Sequence, residues 1–163
     1  MGRDGGILTY RVFFNKGGNE KMKLTIDWTG NMGFSSTTPT GHQIKMDASV
    51  EVGGQNSGPR PTELLLNAVA GCTGIDIISI LHKMRLKPLS FHIDVEGVRA
   101  EEHPKKFTNV NIHYAFEGDL PEEKVVRAIK LSKDKYCSVS HSLSATITAS
   151  YSINSEEKKV LDE

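Results

Sequence analysis

Between Leu64 and Leu81 the chain reads LLLNAVAGCTGIDIISIL, with apolar residues at 64, 65, 66, 69, 70, 75, 77, 78, 80 and 81. On a helix those positions cover almost every face, a pattern that belongs to a helix enclosed by protein rather than one lying half in water. The run is long enough to suggest a membrane span, but Asn67 and Asp76 interrupt it and no aromatic belt flanks it, so a buried core helix is expected and no membrane partner. The fold must therefore supply a wrapping on all sides.

Alternation on either side provides it. Lys23–Thr29 (KLTIDWT) places Leu24, Ile26 and Trp28 on one face, and Ile44–Val50 alternates again after the turn signals Pro39 and Gly41. Beyond the helix, which Pro88 stops, Phe91, Ile93 and Val95 begin one strand and Phe107–Phe116 (FTNVNIHYAF) form the next, joined by a polar turn over Glu101–Lys106. Asp119 is expected to cap a second helix, with Pro121 near its first turn and Val125, Val126, Ile129 and Leu131 on one side. Ala145–Ile153 (ATITASYSI) closes with a strand. The order β-β-β-α-β-β-α-β, without helices regularly interleaved between single strands, predicts an α+β fold rather than a doubly wound parallel sheet.

A length of 163 residues suits one domain. Twenty basic residues balance twenty acidic ones, so no net field draws the protein to nucleic acid or an anionic surface. Two cysteines cannot staple a secreted scaffold of this size and no signal segment opens the chain, which points to a reducing cytoplasm. Residues 1–21 admit two readings: a mis-assigned leader with Met22 as the true start, in which Lys16-Gly17-Gly18 would translate a purine-rich ribosome-binding sequence, or a real strand over Ile7–Phe14. Residues 22–155 form the domain, and 156–163 are a charged tail.

The stretch GPRPTELLLNAVAGCTGIDI (58–77), followed after two strands and a helix by KYCSVSHSL (135–143), resembles the OsmC/Ohr family and its YhfA-like branch, over roughly Lys23–Asn154. The resemblance implies an intertwined homodimer in which each long central helix packs between sheets of both subunits, with two thiol sites at the interface. It also implies a thiol peroxidase acting on organic hydroperoxides or hydrogen peroxide, with Cys72 peroxidatic, Cys137 resolving and a cellular dithiol as reductant. In such chemistry a thiolate attacks the distal peroxide oxygen, alcohol or water leaves, and a second thiol captures the sulfenic acid as a disulfide. No bound cofactor is needed.

The chain departs from the family pattern around the thiols. In the better-known hydroperoxide reductases an arginine from the N-terminal hairpin activates the thiolate, and an acid just after the helix-starting proline orients it. Here Met22–Pro59 holds no arginine, and Thr62 follows Pro61, with Glu63 one place later and turned ~100° around the helix. Arg60 is the nearest substitute cation; its ordinary reading is a helix-start arginine paired with Glu63 or another carboxylate. Asp76, one turn beyond Cys72, would disfavour a thiolate and is expected to accept hydrogen bonds from a buried partner. His141, four residues after Cys137, could favour the thiolate when protonated, against the plain reading of a surface or helix-end histidine. No C-x-x-C or H-x-x-x-H spacing occurs, which argues against a metal. If the missing arginine and acid silence the chemistry, the alternative is a member of the fold that binds a small hydrophobic ligand or senses redox state, Cys72 then being a small buried hydrophobe.

Overall fold

The computed structural model describes residues 13–14, 20–156 and 159–161. The chain gathers into two compact units, Met1–Glu63 and Leu64–Glu163. The readings of a mis-assigned leader and of a strand at Ile7–Phe14 lie largely outside the described residues. Within them, β1 (Phe13–Phe14) pairs antiparallel with β2 (Glu20–Lys21).

In the first unit, β3 (Thr25–Gly30), β4 (Gly33–Thr37) and β5 (Gln43–Met46) form an antiparallel meander in chain order. The strand expected to run from Ile44 to Val50 stops at Met46, and Val50–Val52 forms a single 3-10 turn. Asp47 is the physical cause. Its carboxylate accepts the N–H of Ala48, Gln55 and Ser57 and the Ser57 hydroxyl, all within 3.0 Å, which folds the loop back before pairing can continue. These donors, the Ser57 N–H first, hold the Asp47 carboxyl down at about 2.

α1 (Pro61–Lys83) begins with proline in its first turn, and the Glu63 carboxylate reaches back to accept the Arg60 N–H at 2.8 Å, half of a capping box. In the second unit, β6 (Ser90–Arg99) pairs antiparallel with β7 (Phe107–Glu117), β7 pairs parallel with β8 (Thr146–Ile153), and β9 (Lys159–Val160) closes the edge. The register stacks apolar side chains in rows across the sheet: Val95, Ile112 and Ala149 in one, Ile93, Tyr114 and Tyr151 in the next, Phe91, Phe116 and Ile153 in a third. Phe91 stacks on Phe116 with ring centroids 4.6 Å apart. Because period-two alternation points these residues to one side, that face carries the core with Val69, Ile77, Ile80 and Leu81 of α1 and Val125, Ala128 and Ile129 of α2 (Glu122–Leu131).

One expectation needs correction. Asp119 does not cap α2; the N-cap is Pro121, whose carbonyl accepts the Lys124 N–H, while Leu120 is drawn into the core and takes Asp119 out of cap position. Within one chain α1 is buried along part of its surface. Val69, Thr73, Gly74, Ile77, Ile80 and Leu81 are buried, but Ile75 remains 74 % exposed and Leu65 42 %. α1 is also long and apolar enough to cross a membrane by length and composition. What the fold shows is six of its residues in the protein core.

Candidate thiol site

Cys72 sits in the fourth turn of α1, half-buried, between Gly71 and the buried Thr73 and Gly74. Gly74 packs closely on β6: a Cβ there would lie 2.7 Å from Ile93 Cδ1, so a larger residue would have to displace the end of that side chain.

Cys137 arrives from the other side. After α2 the chain makes a wide π-turn over Ser132–Tyr136, in which the Cys137 N–H donates to the Ser132 carbonyl at 2.9 Å. Cys137 then opens the short helix α3 (Ser138–His141), and its sulfur accepts the Ser140 N–H at 3.4 Å while its carbonyl accepts the Ser140 hydroxyl at 2.8 Å. Its side chain is fully buried.

The fold brings three groups from these distant segments together. Cys72 Sγ, Cys137 Sγ and a carboxylate oxygen of Asp76 all lie within 4.8 Å of one another. Both cysteines are free thiols. Ser132 is completely buried and donates its hydroxyl to Asp76 Oδ2 at 3.1 Å. The buried partner expected for Asp76 is therefore a serine.

Burial pushes the Cys72 thiol above its ordinary range, and the neighbouring Cys137 thiol pushes in the same direction. The Val139 N–H, pointing at the sulfur, pulls back, while Cys137 and the Asp76 charge add to the upward shift. Consecutive amides of α3 thus address the two sulfurs, Val139 to Cys72 and Ser140 to Cys137. Tyr114 lies under the site; burial is the main cause that lifts its phenol to about 12, with the Thr73 side chain pulling the other way.

The other expected residues have partners of their own. The Arg60 guanidinium donates to Asn56 Oδ1 at 2.7 Å and to the Gly58 carbonyl at 3.1 Å, and Glu63 holds the Arg60 backbone. His141 ends α3 with an exposed side chain, its backbone N–H bonded to the Cys137 carbonyl. Sequence reasoning missed Ser132 and the two α3 amides. Ser132 falls in LSKDKY, which reads as a polar helix end, and backbone donors leave no residue signature.

Along α1 an apolar groove of about 770 Å³ is lined by Gly71, Gly74, Ile75, Ile78, Phe91 and Ile93, with His82 and Lys83 toward one end; neither cysteine is among its lining residues.

Residues 54–152 match the family described as OsmC-like protein. Protein YhfA of Escherichia coli K12 is 38 % identical over 138 residues, which span 81 % of this chain and 98 % of YhfA. A hypothetical protein of Aquifex aeolicus has a crystal structure similar to this one, with a TM-score of 0.74 and 31 % identity over 85 % of this chain and all of that one. An organic hydroperoxide resistance protein OsmC from Legionella pneumophila shares the fold, with a TM-score of 0.59 at 15 % identity over 80 % of this chain and 96 % of that one.

Proposed function

We propose that this chain, which belongs to the OsmC-like protein family, is a thiol peroxidase that reduces organic hydroperoxides or hydrogen peroxide through a Cys72/Cys137 couple. The observation that carries the reading is the approach of the only two sulfhydryls in the sequence to within 4.8 Å of each other. Half-buried Cys72 is the peroxidatic thiol and fully buried Cys137 the resolving one, since the first must meet peroxide and the second only a sulfenic acid. In the Cys72 thiolate, the sulfur attacks the distal oxygen of ROOH, the O–O bond breaks, and RO⁻ takes a proton and leaves as alcohol. Cys137 then attacks the sulfenic sulfur; the S–S bond forms and water departs with the Cys137 proton. A cellular dithiol returns the disulfide to two thiols.

The Val139 N–H stabilises negative charge on the Cys72 sulfur as it develops. A homodimer follows from the same reading. α1 is apolar all round yet bare on the Ile75 side, and β3 exposes Ile26 and Trp28, 53 % and 67 % accessible; a second copy of the chain would cover such surfaces. The reducing cytoplasm is the compartment that keeps both thiols free.

A second reading, a hydrophobic-ligand binder or redox sensor with slow chemistry, has one feature behind it: burial raises the Cys72 thiol above its ordinary range, which disfavours the reactive thiolate. Counting free thiols after adding an organic hydroperoxide to reduced protein separates the two. Fast loss of both thiols, abolished in Cys72→Ser, supports the peroxidase; unchanged thiols at modest peroxide excess support the binder.

A further inference from the structure

We propose that Cys72, Asp76 and Cys137 form a binding site for one zinc ion per chain. Two sulfurs and a carboxylate oxygen within 4.8 Å of one another make a three-ligand set of the kind that leaves the fourth tetrahedral position to water or an incoming ligand. Around a zinc ion with Zn–S of about 2.3 Å and Zn–O of about 2.0–2.2 Å, such atoms sit about 3.4–3.8 Å apart. Side-chain rotation of Cys72 and Asp76, neighbours one turn apart on α1, supplies that contraction against Cys137. Thiolate pairs favour zinc over magnesium or calcium, which prefer sites made of oxygen alone.

The outer contacts suit a metal as well as the ligands do. Ser132 Oγ donates to Asp76 Oδ2 at 3.1 Å, leaving the other carboxylate oxygen for an ion. The Val139 and Ser140 amides point at the Cys72 and Cys137 sulfurs and offset part of the negative charge that two thiolates and a carboxylate bring to one ion. Spacing rules applied to the sequence miss the set because Cys137 comes from beyond the two strands and α2.

On binding, each thiol forms a sulfur–metal bond and gives its proton to solvent. The ion then occupies both sulfur lone pairs that the peroxide chemistry uses. In the peroxidase reading, which this consequence alone rests on, a hydroperoxide withdraws two electrons from the paired sulfurs and forms the disulfide. It takes up two protons from solvent to give alcohol and water, and zinc is released. Zinc and peroxide would therefore compete for one site.

The test uses reduced, metal-free protein under anaerobic conditions, titrated with cobalt(II) as a spectroscopic probe and with zinc chloride in competition. The expected result is one equivalent per chain, with a sulfur-to-cobalt charge-transfer band and the strong visible absorption of a four-coordinate ion, both displaced by zinc. Both signals vanish in Cys72→Ser and Cys137→Ser; affinity falls more than tenfold in Asp76→Asn and about tenfold in Ser132→Ala, circular dichroism confirming the fold of each. Should a variant not fold, the unaltered protein answers alone: saturating zinc protects both thiols from an aromatic disulfide reagent. Cobalt bound without a charge-transfer band, undiminished affinity in folded Asp76→Asn, or thiols that react as fast with zinc as without overturns the site. No peroxide is present in this experiment, so its failure leaves the peroxidase reading standing, and failure of the thiol count after hydroperoxide leaves the zinc site standing.

Discussion

Ser132 Oγ donates to Asp76 Oδ2 at 3.1 Å while the Ser132 carbonyl accepts the Cys137 N–H at 2.9 Å. One buried serine therefore fixes both the carboxylate one turn past the first thiol and the backbone of the second. Removing only the hydroxyl, in Ser132→Ala, leaves the Asp76 carboxylate short of a donor and is expected to cost about 1–3 kcal/mol in chemical denaturation. The Cys137 backbone bond survives that change, so disulfide formation slows but is not abolished. Stability within a few tenths of a kcal/mol of the parent would contradict the role given to this bond.

Asp76 opposes ionisation of Cys72, since a negative charge beside a thiol disfavours its thiolate. Asp76→Asn keeps the Ser132 hydrogen bond and removes the charge. Alkylation of Cys72 by iodoacetamide, followed against pH in a Cys137→Ser background, is expected to run a few-fold faster near neutrality, its midpoint moving to lower pH. A midpoint that stays or rises would show that the carboxylate acts on the thiol by some route other than its charge.

Tyr114 gives the core an alkaline weakness. Its phenol ionises at about 12 rather than 10.0, chiefly because of burial, so the folded state holds its proton longer than the unfolded chain does. The contribution is intact below pH 10 and declines as pH rises toward 12, by up to about 3 kcal/mol. Tyr114→Phe removes the buried phenol hydroxyl and is expected to be about 1 kcal/mol less stable at neutrality, yet to unfold less readily than the parent as pH passes 11. Parallel stability curves for the two proteins across that range would refute this.

How much of this was legible in the sequence depends on where each signal resides. Alternation in Phe91, Ile93 and Val95 and in Phe107–Phe116 located two strands because the sheet buries one face, and periodicity records that directly. Strand β4 (GFSST) holds a single large apolar residue, Phe34, and so gave no such pattern. Asp47 ended a strand through side-chain bonds to Gln55 and Ser57 that alternation cannot register. At the site, the paired cysteine motifs were readable through a family resemblance, whereas Ser132 and the Val139 and Ser140 amides depend on a π-turn and a one-turn helix that SKDKY and SVSH do not announce.

The bare side of α1 tests the proposed homodimer. Ile75 is 74 % exposed and sits in the apolar groove, away from the buried face that carries the core. Ile75→Asp is expected to sediment as a folded monomer with unchanged circular dichroism, where the parent sediments as a dimer. A parent that is monomeric at assay concentrations would remove the homodimer from the account.

The most direct measurement of the central claim is a non-reducing peptide map of the protein after one equivalent of an organic hydroperoxide. The account predicts a linked pair of peptides joining Cys72 to Cys137 within a single chain, lighter by the two thiol hydrogens and absent without peroxide. Cys72 and Cys137 recovered as free thiols, or Cys72 oxidised further with Cys137 untouched, would contradict it.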